Sequence, residues 1–317
     1  MSRNRWFGFG LLMVSLLASV ALVGCQPAVK QERGTLSVVA TTTIVADVAQ
    51  QIAGDALTVT SLLPVGVDPH GFSPTPRDVS RVAEADVVFA NGAGLEEFLD
   101  QLLMNAGGHA EVIYVSDGIA LLEADLADAQ HRGDDEDAHE HAAGDPHTWT
   151  TPANVMAWVD AIEAALVRHD PEHAAAYRAN AVAYREQLQE LDGWIQAQIA
   201  QIAEPQRLLV TDHTTFTYLA ERYGLRQIGT IIPGYSTLSQ PSAQDLVGLE
   251  NLVREYGVKA IFVGKTVNPA LAEQVAADTG MRLVPLYTGS LTERDGEAGT
   301  YLAYMRYNVE AIVEALK

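Results

Sequence analysis

The chain has 317 residues, 48% of them hydrophobic, enough apolar material for one large domain or two medium ones with their own cores. Its formal net charge of -21 repels phosphate backbones and excludes a nucleic-acid partner. The single cysteine, Cys25, excludes a disulfide framework.

Taken in order, the chain opens with Arg3 and Arg5 ahead of an almost wholly apolar run from Trp6 to Val23. That pattern reads as a signal peptide over 1–24 rather than a permanent membrane span. Cys25 directly follows Val23-Gly24, the placement of a lipidated first residue, and 25–35 reads as a polar tether. The mature protein is then expected outside the cytoplasmic membrane, lipid-anchored at Cys25.

From residue 36 the pattern alternates. Short β-branched runs at 36–40, 57–63, 86–90 and 111–115 read as buried strands, with helices at 44–53, 77–85 and 95–104 between them. Residues 152–167 read as a helix. Asp170-Pro171 then opens a longer one, with Asp170 as N-cap, Pro171 at its first position and His173 at its third. Tyr177, Tyr184, Leu188, Leu191 and Ile195 share one face, and the helix should reach about 202, or ~45 Å at 1.5 Å per residue. The strand and helix alternation then restarts, with strands at 207–210, 226–232, 260–263 and 282–286 and helices at 215–223, 242–256, 268–279 and 301–316. The fold class that follows is α/β: an N-terminal lobe over 36–169, a rigid linking helix over 170–204 and a C-terminal lobe over 205–317. Each lobe should carry a small parallel sheet flanked by helices, and its own core.

The composition changes sharply at 123–145, inside the N-terminal lobe. His131, His139 and His141 stand in a run of Asp, Glu, Gly and Ala with almost nothing to bury, so a solvated, mobile loop is expected there. Two readings stay open: a tract that collects metal, or an acidic insertion with incidental histidines. Asp145-Pro146-His147 follows, in which proline restricts the backbone and holds His147 at a definite place.

Three histidines share one context. His70 follows the strand at 57–63, His213 follows that at 207–210, and His147 ends the insertion. Ligands of open α/β sheets bind at the carboxyl ends of the strands, so these loops can converge on a cleft between the lobes. A lone loop histidine is more often a surface residue than a ligand. Here Asp68-Pro69-His70 and Asp145-Pro146-His147 repeat one tripeptide and Asp212-His213 echoes it. Zn²⁺ suits three imidazoles, and a neighbouring aspartate could take the second ring N–H and fix the tautomer. His109, His169 and His173 read as structural. A zinc hydrolase would also use three histidines and a water, but no HExxH motif is present. A scaffold with purely structural metal is the remaining alternative, against which the collecting loop weighs.

The segments VVATTTIVADVAQQIAGD (38–55), SLLPVGVDPHGFSPTP (61–76), GDPHTWTTPANV (144–155), LLVTDHTTFTYLAERYGL (208–225) and GTYLAYMRYNVEAIVEAL (299–316) carry a resemblance. The chain resembles the metal-binding lipoproteins of bacterial ABC importers for zinc and manganese, over nearly the whole mature length. The resemblance implies His70, His147 and His213 as metal ligands and an ABC permease as partner of a monomer that is not an enzyme. It implies Zn²⁺ as cargo, because members favouring manganese usually have a carboxylate where His213 stands, with Mn²⁺ as the alternative. It also gives the acidic His-rich insertion a part in metal acquisition. The chain departs from it at two glycines: Gly289 stands where the family often has a fourth-ligand aspartate, which leaves water, Glu293, Asp295 or a loop histidine for that place. Gly264 is a second glycine where an acidic residue is expected.

Overall fold

The computed structural model describes residues 36–122 and 144–317. The leader, Cys25, the tether and His131, His139 and His141 lie outside the described residues.

The N-terminal lobe runs β1 (Val38–Ala40), α1 (Thr43–Ala53), β2 (Val59–Ser61), α2 (Pro76–Ala83), β3 (Val87–Ala90), α3 (Leu99–Ala106) and β4 (Glu111–Tyr114). Every strand pair is parallel and the order is β2-β1-β3-β4. The C-terminal lobe repeats this layout with β5 (Leu208–Thr211), α6 (Thr217–Tyr223), β6 (Arg226–Thr230), α7 (Ala243–Tyr256), β7 (Ala260–Gly264), α8 (Ala270–Thr279) and β8 (Arg282–Leu286), in the order β6-β5-β7-β8. Between the lobes in sequence stand α4 (Pro152–His169) and α5 (Ala174–Ile199), and α9 (Tyr301–Leu316) closes the chain. Ala40 is in register with both Ser61 and Phe89, and Thr211 with both Thr230 and Phe262. The strands of each sheet therefore end together, and the loops that follow them emerge along one edge.

Local chemistry fixes the ends of these elements. The Thr42 hydroxyl accepts the Val45 N–H at the start of α1, and Ser242 and Asp245 form a reciprocal capping box on α7. Gly54, at φ +57°, ends α1 in a conformation that costs a residue with a Cβ.

The start of α5 differs from expectation. Asp170 is the C-cap of α4, its N–H bonded to the Leu166 carbonyl, and its carboxylate accepts from the His173 ring and the Tyr177 hydroxyl. That double use holds residues 171–173 as a turn, so α5 begins at Ala174 with His173 as its N-cap residue and spans 26 residues, about 39 Å. The face marked by Tyr177, Tyr184, Leu188, Leu191 and Ile195 is buried as its spacing requires. His169 pairs with Glu111.

Val38 and Ala40 face inward to the largest core, while Val39 faces a second cluster with Val82, Leu99 and Leu102 from α2 and α3. The central strands β1 and β3, like β5 and β7 of the other sheet, are thus buried on both sides, while the outer strands are only partly covered. A matching outer cluster packs Val210, Ile261 and Val263 against α7 and α8. The largest core belongs to neither lobe alone. It joins β1 and β3 to β5, β7 and β8 through α1, α4, α5 and α9, with α5 packed against the other three helices. Each lobe keeps an outer cluster of its own, and the two also share this larger core. The helical periodicity of α5 showed which residues are buried but not that both sheets contribute to what buries them. Among the described residues no helix is long and apolar enough to cross a membrane.

Candidate metal centre

Three loops deliver the histidines. His70 sits on the β2–α2 loop, His213 lies two residues past the end of β5, and His147 precedes a single helical turn at Thr148–Thr150 that leads into α4. All three are buried, and one ring nitrogen of each lies within 4.8 Å of the others. His147 Nε2 stands 3.1 Å from His70 Nε2 and 3.3 Å from His213 Nε2. Two nitrogens bound at about 2.0–2.1 Å to one tetrahedral ion are separated by about 3.3 Å.

The aspartates set the direction of these nitrogens. Asp145 Oδ1 lies 2.8 Å from His147 Nδ1, and Asp212 Oδ1 lies 2.8 Å from His213 Nδ1. A carboxylate only accepts, so each Nδ1 carries the proton and each Nε2 presents a lone pair. The lone pairs of His147 and His213 then face each other across 3.3 Å. That arrangement is repulsive until a cation lies between them. Thr215 Oγ1, at 3.2 and 2.9 Å from the two nitrogens of His213, is too evenly placed to lie on the axis of the Nε2 lone pair.

Burial keeps His70 and His147 neutral, the form that binds metal. It lowers the His70 pKa to about 2, helped by the neighbouring His147 and His213, and holds that of His147 well below its ordinary value. The contact of His147 with Asp145 is accordingly a hydrogen bond and not an ion pair. Burial also raises Asp145 to about 7, against the lowering effect of the His147 backbone N–H.

Asp68 behaves differently from the sequence expectation for its tripeptide. Its carboxylate accepts from the His70 backbone N–H at 3.1 Å and from the Thr237 hydroxyl at 2.5 Å, where Asp145 and Asp212 hold imidazoles. Further residues that the sequence reading did not single out fix the His147 segment. The Asn91 amide donates to the Pro146 carbonyl, the Tyr218 hydroxyl to the Asp145 carbonyl and the Tyr301 hydroxyl to the Trp149 carbonyl. Asn91 is itself held by buried Glu96, which accepts from the backbone N–H groups of Asn91 and Gly92 and from the Thr41 hydroxyl. Burial raises the Glu96 pKa despite these bonds. An acid just past a Gly-rich turn on a buried strand was the available signal.

The cavity around the histidines is about 10 Å³, room for about one water-sized body, and Asp68, Pro69, Trp149, Thr266, Thr288 and Gly289 complete its walls. Glu293 and Asp295 do not reach it. Both are exposed, on a turn closed by the bonds Gly296 N–H to Glu293 and Thr292 N–H to Ala298, and neither belongs to the cluster of metal-binding atoms. In this arrangement the turn leaves both side chains in solvent. The two glycines now have physical reasons. A Cβ at Gly289 would stand 2.5 Å from Pro69 Cδ, so the His70 loop occupies the space of a side chain there. At Gly264 a Cβ would overlap Thr288 Oγ1 and stand 3.0 Å from Asp212 Oδ2. The Gly264 N–H instead donates to that oxygen at 2.6 Å. An acidic side chain at 264 would push against the carboxylate that orients His213.

Two parallel α/β lobes around a preformed cluster of buried imidazoles define a two-lobed solute-binding protein. Residues 38–315 match the family described as zinc-uptake complex component A periplasmic (ZnuA), and the chain belongs to that family. It is 33% identical over 312 residues to the manganese-binding lipoprotein MntA of Halalkalibacterium halodurans, covering 98% of each chain. It is 30% identical over 301 residues to the iron-binding protein YfeA of Yersinia pestis, covering 95% of this chain and 92% of that one. Among solved structures, the periplasmic zinc binding protein TroA from Treponema pallidum aligns with a TM-score of 0.78 at 26% identity, over 89% of this chain and 99% of that one. A periplasmic metal binding protein from candidatus Liberibacter asiaticus aligns with a TM-score of 0.75 at 28% identity, over 88% of this chain and 99% of that one.

Proposed function

We propose that the protein captures Zn²⁺ between its lobes outside the cytoplasmic membrane and delivers it to an ABC permease for import. The observation that carries this reading is the convergence of three Nε2 atoms, two of them held as lone pairs by aspartate, with no carboxylate of the described residues in the cluster. Imidazole donors suit zinc, while carboxylate and carbonyl oxygens suit manganese. Anchoring at Cys25, a monomeric state and the absence of catalytic activity belong to the same proposal. So does a collecting role for His131, His139 and His141, which would raise the local metal concentration without forming the main site.

Manganese is the second reading, supported by the relatives named as manganese-binding. Calorimetric titration of residues 26–317 with zinc and with manganese separates the two, beside a deletion of 131–143. Tight 1:1 zinc binding that survives the deletion is the expected result. Preference for manganese would replace zinc as cargo, and loss of all affinity with the deletion would move the primary site away from His70, His147 and His213.

A further inference from the structure

The loop between β6 and α7, residues 231–242, touches the segments of all three histidines. At its start the Ile231 and Ile232 N–H groups donate to the carbonyls of Thr211 and Asp212, at 3.0 and 2.6 Å. The Thr214 N–H returns a bond to the Gly234 carbonyl at 3.0 Å, where Gly234 takes φ +84° and turns the loop back over the cleft. The Tyr235 ring then lies with its centroid 6.5 Å from that of His147. Farther along, the Thr237 hydroxyl donates to Asp68 Oδ2, and Leu238 Cδ2 stands 3.7 Å from where a Cβ on Gly71 would lie. The loop leaves and rejoins the C-terminal lobe, and between those ends it touches the His70 loop of the other.

His70 is the histidine most dependent on this arrangement. Asp145 and Asp212 each grip their own imidazole, but Asp68 grips only the His70 backbone, and its second oxygen is taken by Thr237. His70 is also the most accessible of the three, 8% exposed against 1% for His147 and 2% for His213.

The geometry points to residues 231–238 as a strap that governs metal release, with Thr237 a positioning residue that holds His70 through Asp68. The inference deepens the metal-binding reading above and rests on it. Displacement of the strap breaks the Thr237–Asp68 bond first, frees the Asp68-Pro69-His70 turn and removes one nitrogen from the ion, while His147 and His213 keep their aspartates.

The test is zinc release from the loaded full-length mature chain into excess chelator, followed by stopped flow. Thr237→Val removes the donor at nearly constant volume and should release zinc about tenfold faster, the low end of what outer hydrogen-bond partners of metal ligands contribute. Thr237→Ser restores the hydroxyl and should restore the slow rate. Because Thr237 acts through Asp68, adding Thr237→Val to Asp68→Ala should cause no further acceleration. Should the valine variant fail to fold, Thr237→Ala is measured in the same way. Release at the wild-type rate from a folded Thr237 variant, or full additivity with Asp68→Ala, overturns the strap. A wild-type protein that retains no zinc overturns the functional reading, and the strap with it.

Discussion

Replacing each orienting aspartate by asparagine separates two sites that look alike in sequence. Asp212 serves three donors: Oδ1 accepts from His213 Nδ1–H at 2.8 Å and from the His213 backbone N–H at 2.7 Å, and Oδ2 accepts from Gly264 N–H at 2.6 Å. An amide offers one acceptor oxygen. In Asp212→Asn, the NH2 must therefore face either the Gly264 N–H or the His213 ring N–H, donor against donor in a buried place. Leaving a buried N–H unpaired costs about 1–3 kcal/mol, and disturbing a ligand's orienting partner lowers metal affinity about 10- to 100-fold. Asp145 makes both of its His147 bonds through Oδ1, and its Oδ2 has no hydrogen-bond partner among the described residues. Asparagine can keep both bonds there and turn its NH2 toward the Thr217 hydroxyl, so Asp145→Asn should cost less than about threefold beyond the charge effect. Measured above about pH 8, where Asp145 is ionised, both variants forfeit one negative charge near the cation, so their difference isolates the hydrogen bonds. Zinc affinity by chelator competition, with urea denaturation of the apo forms, measures it. Equal losses in the two variants, or a greater loss at Asp145, would refute the reasoning.

Gly264→Ala should destabilise the apo protein by about 1–3 kcal/mol, because the methyl overlaps Thr288 and presses on Asp212; thermal unfolding checks it, and Gly264→Ala/Thr288→Ala should recover part of the loss. Gly289→Asp should not create a manganese site, since its side chain would begin 2.5 Å from Pro69; manganese titration should show no gain over the parent, with reduced zinc affinity as His70 is displaced. Acidification should weaken the apo fold. His70 and His147 stay neutral when folded but take up protons near pH 6.5 when unfolded, so their contribution is present above that pH and is lost as pH falls below it, about 1.4 kcal/mol per pH unit for each. Asp145, raised to about 7, works in the opposite sense between about pH 4 and 7, which leaves a net loss of about 1.4 kcal/mol between pH 6 and pH 5 from these groups in urea titrations.

The chain by itself determined the alternation of strands and helices, the buried face of α5 and the three histidines, because each rests on short-range information. Periodicity marks faces, proline and glycine mark turns, and a repeated Asp-Pro-His marks two loops as alike. What that repeat could not reveal is that Asp68 and Asp145 do different work. The roles diverge only because Thr237, 169 residues away in sequence, reaches the first and not the second. The N-terminus of α5 was misplaced for a related reason: Asp170 had a local cap to offer, but its carboxylate is claimed by His173 and Tyr177 within a turn. The same holds for the glycines at 264 and 289, which read as lost ligands until Asp212, Thr288 and Pro69 are seen to fill the space around them. Only the tertiary structure decided these points, and it alone joined the two sheets through one core. Steric exclusion and hydrogen-bond competition act between residues far apart in the chain, and no local pattern records which of them meet.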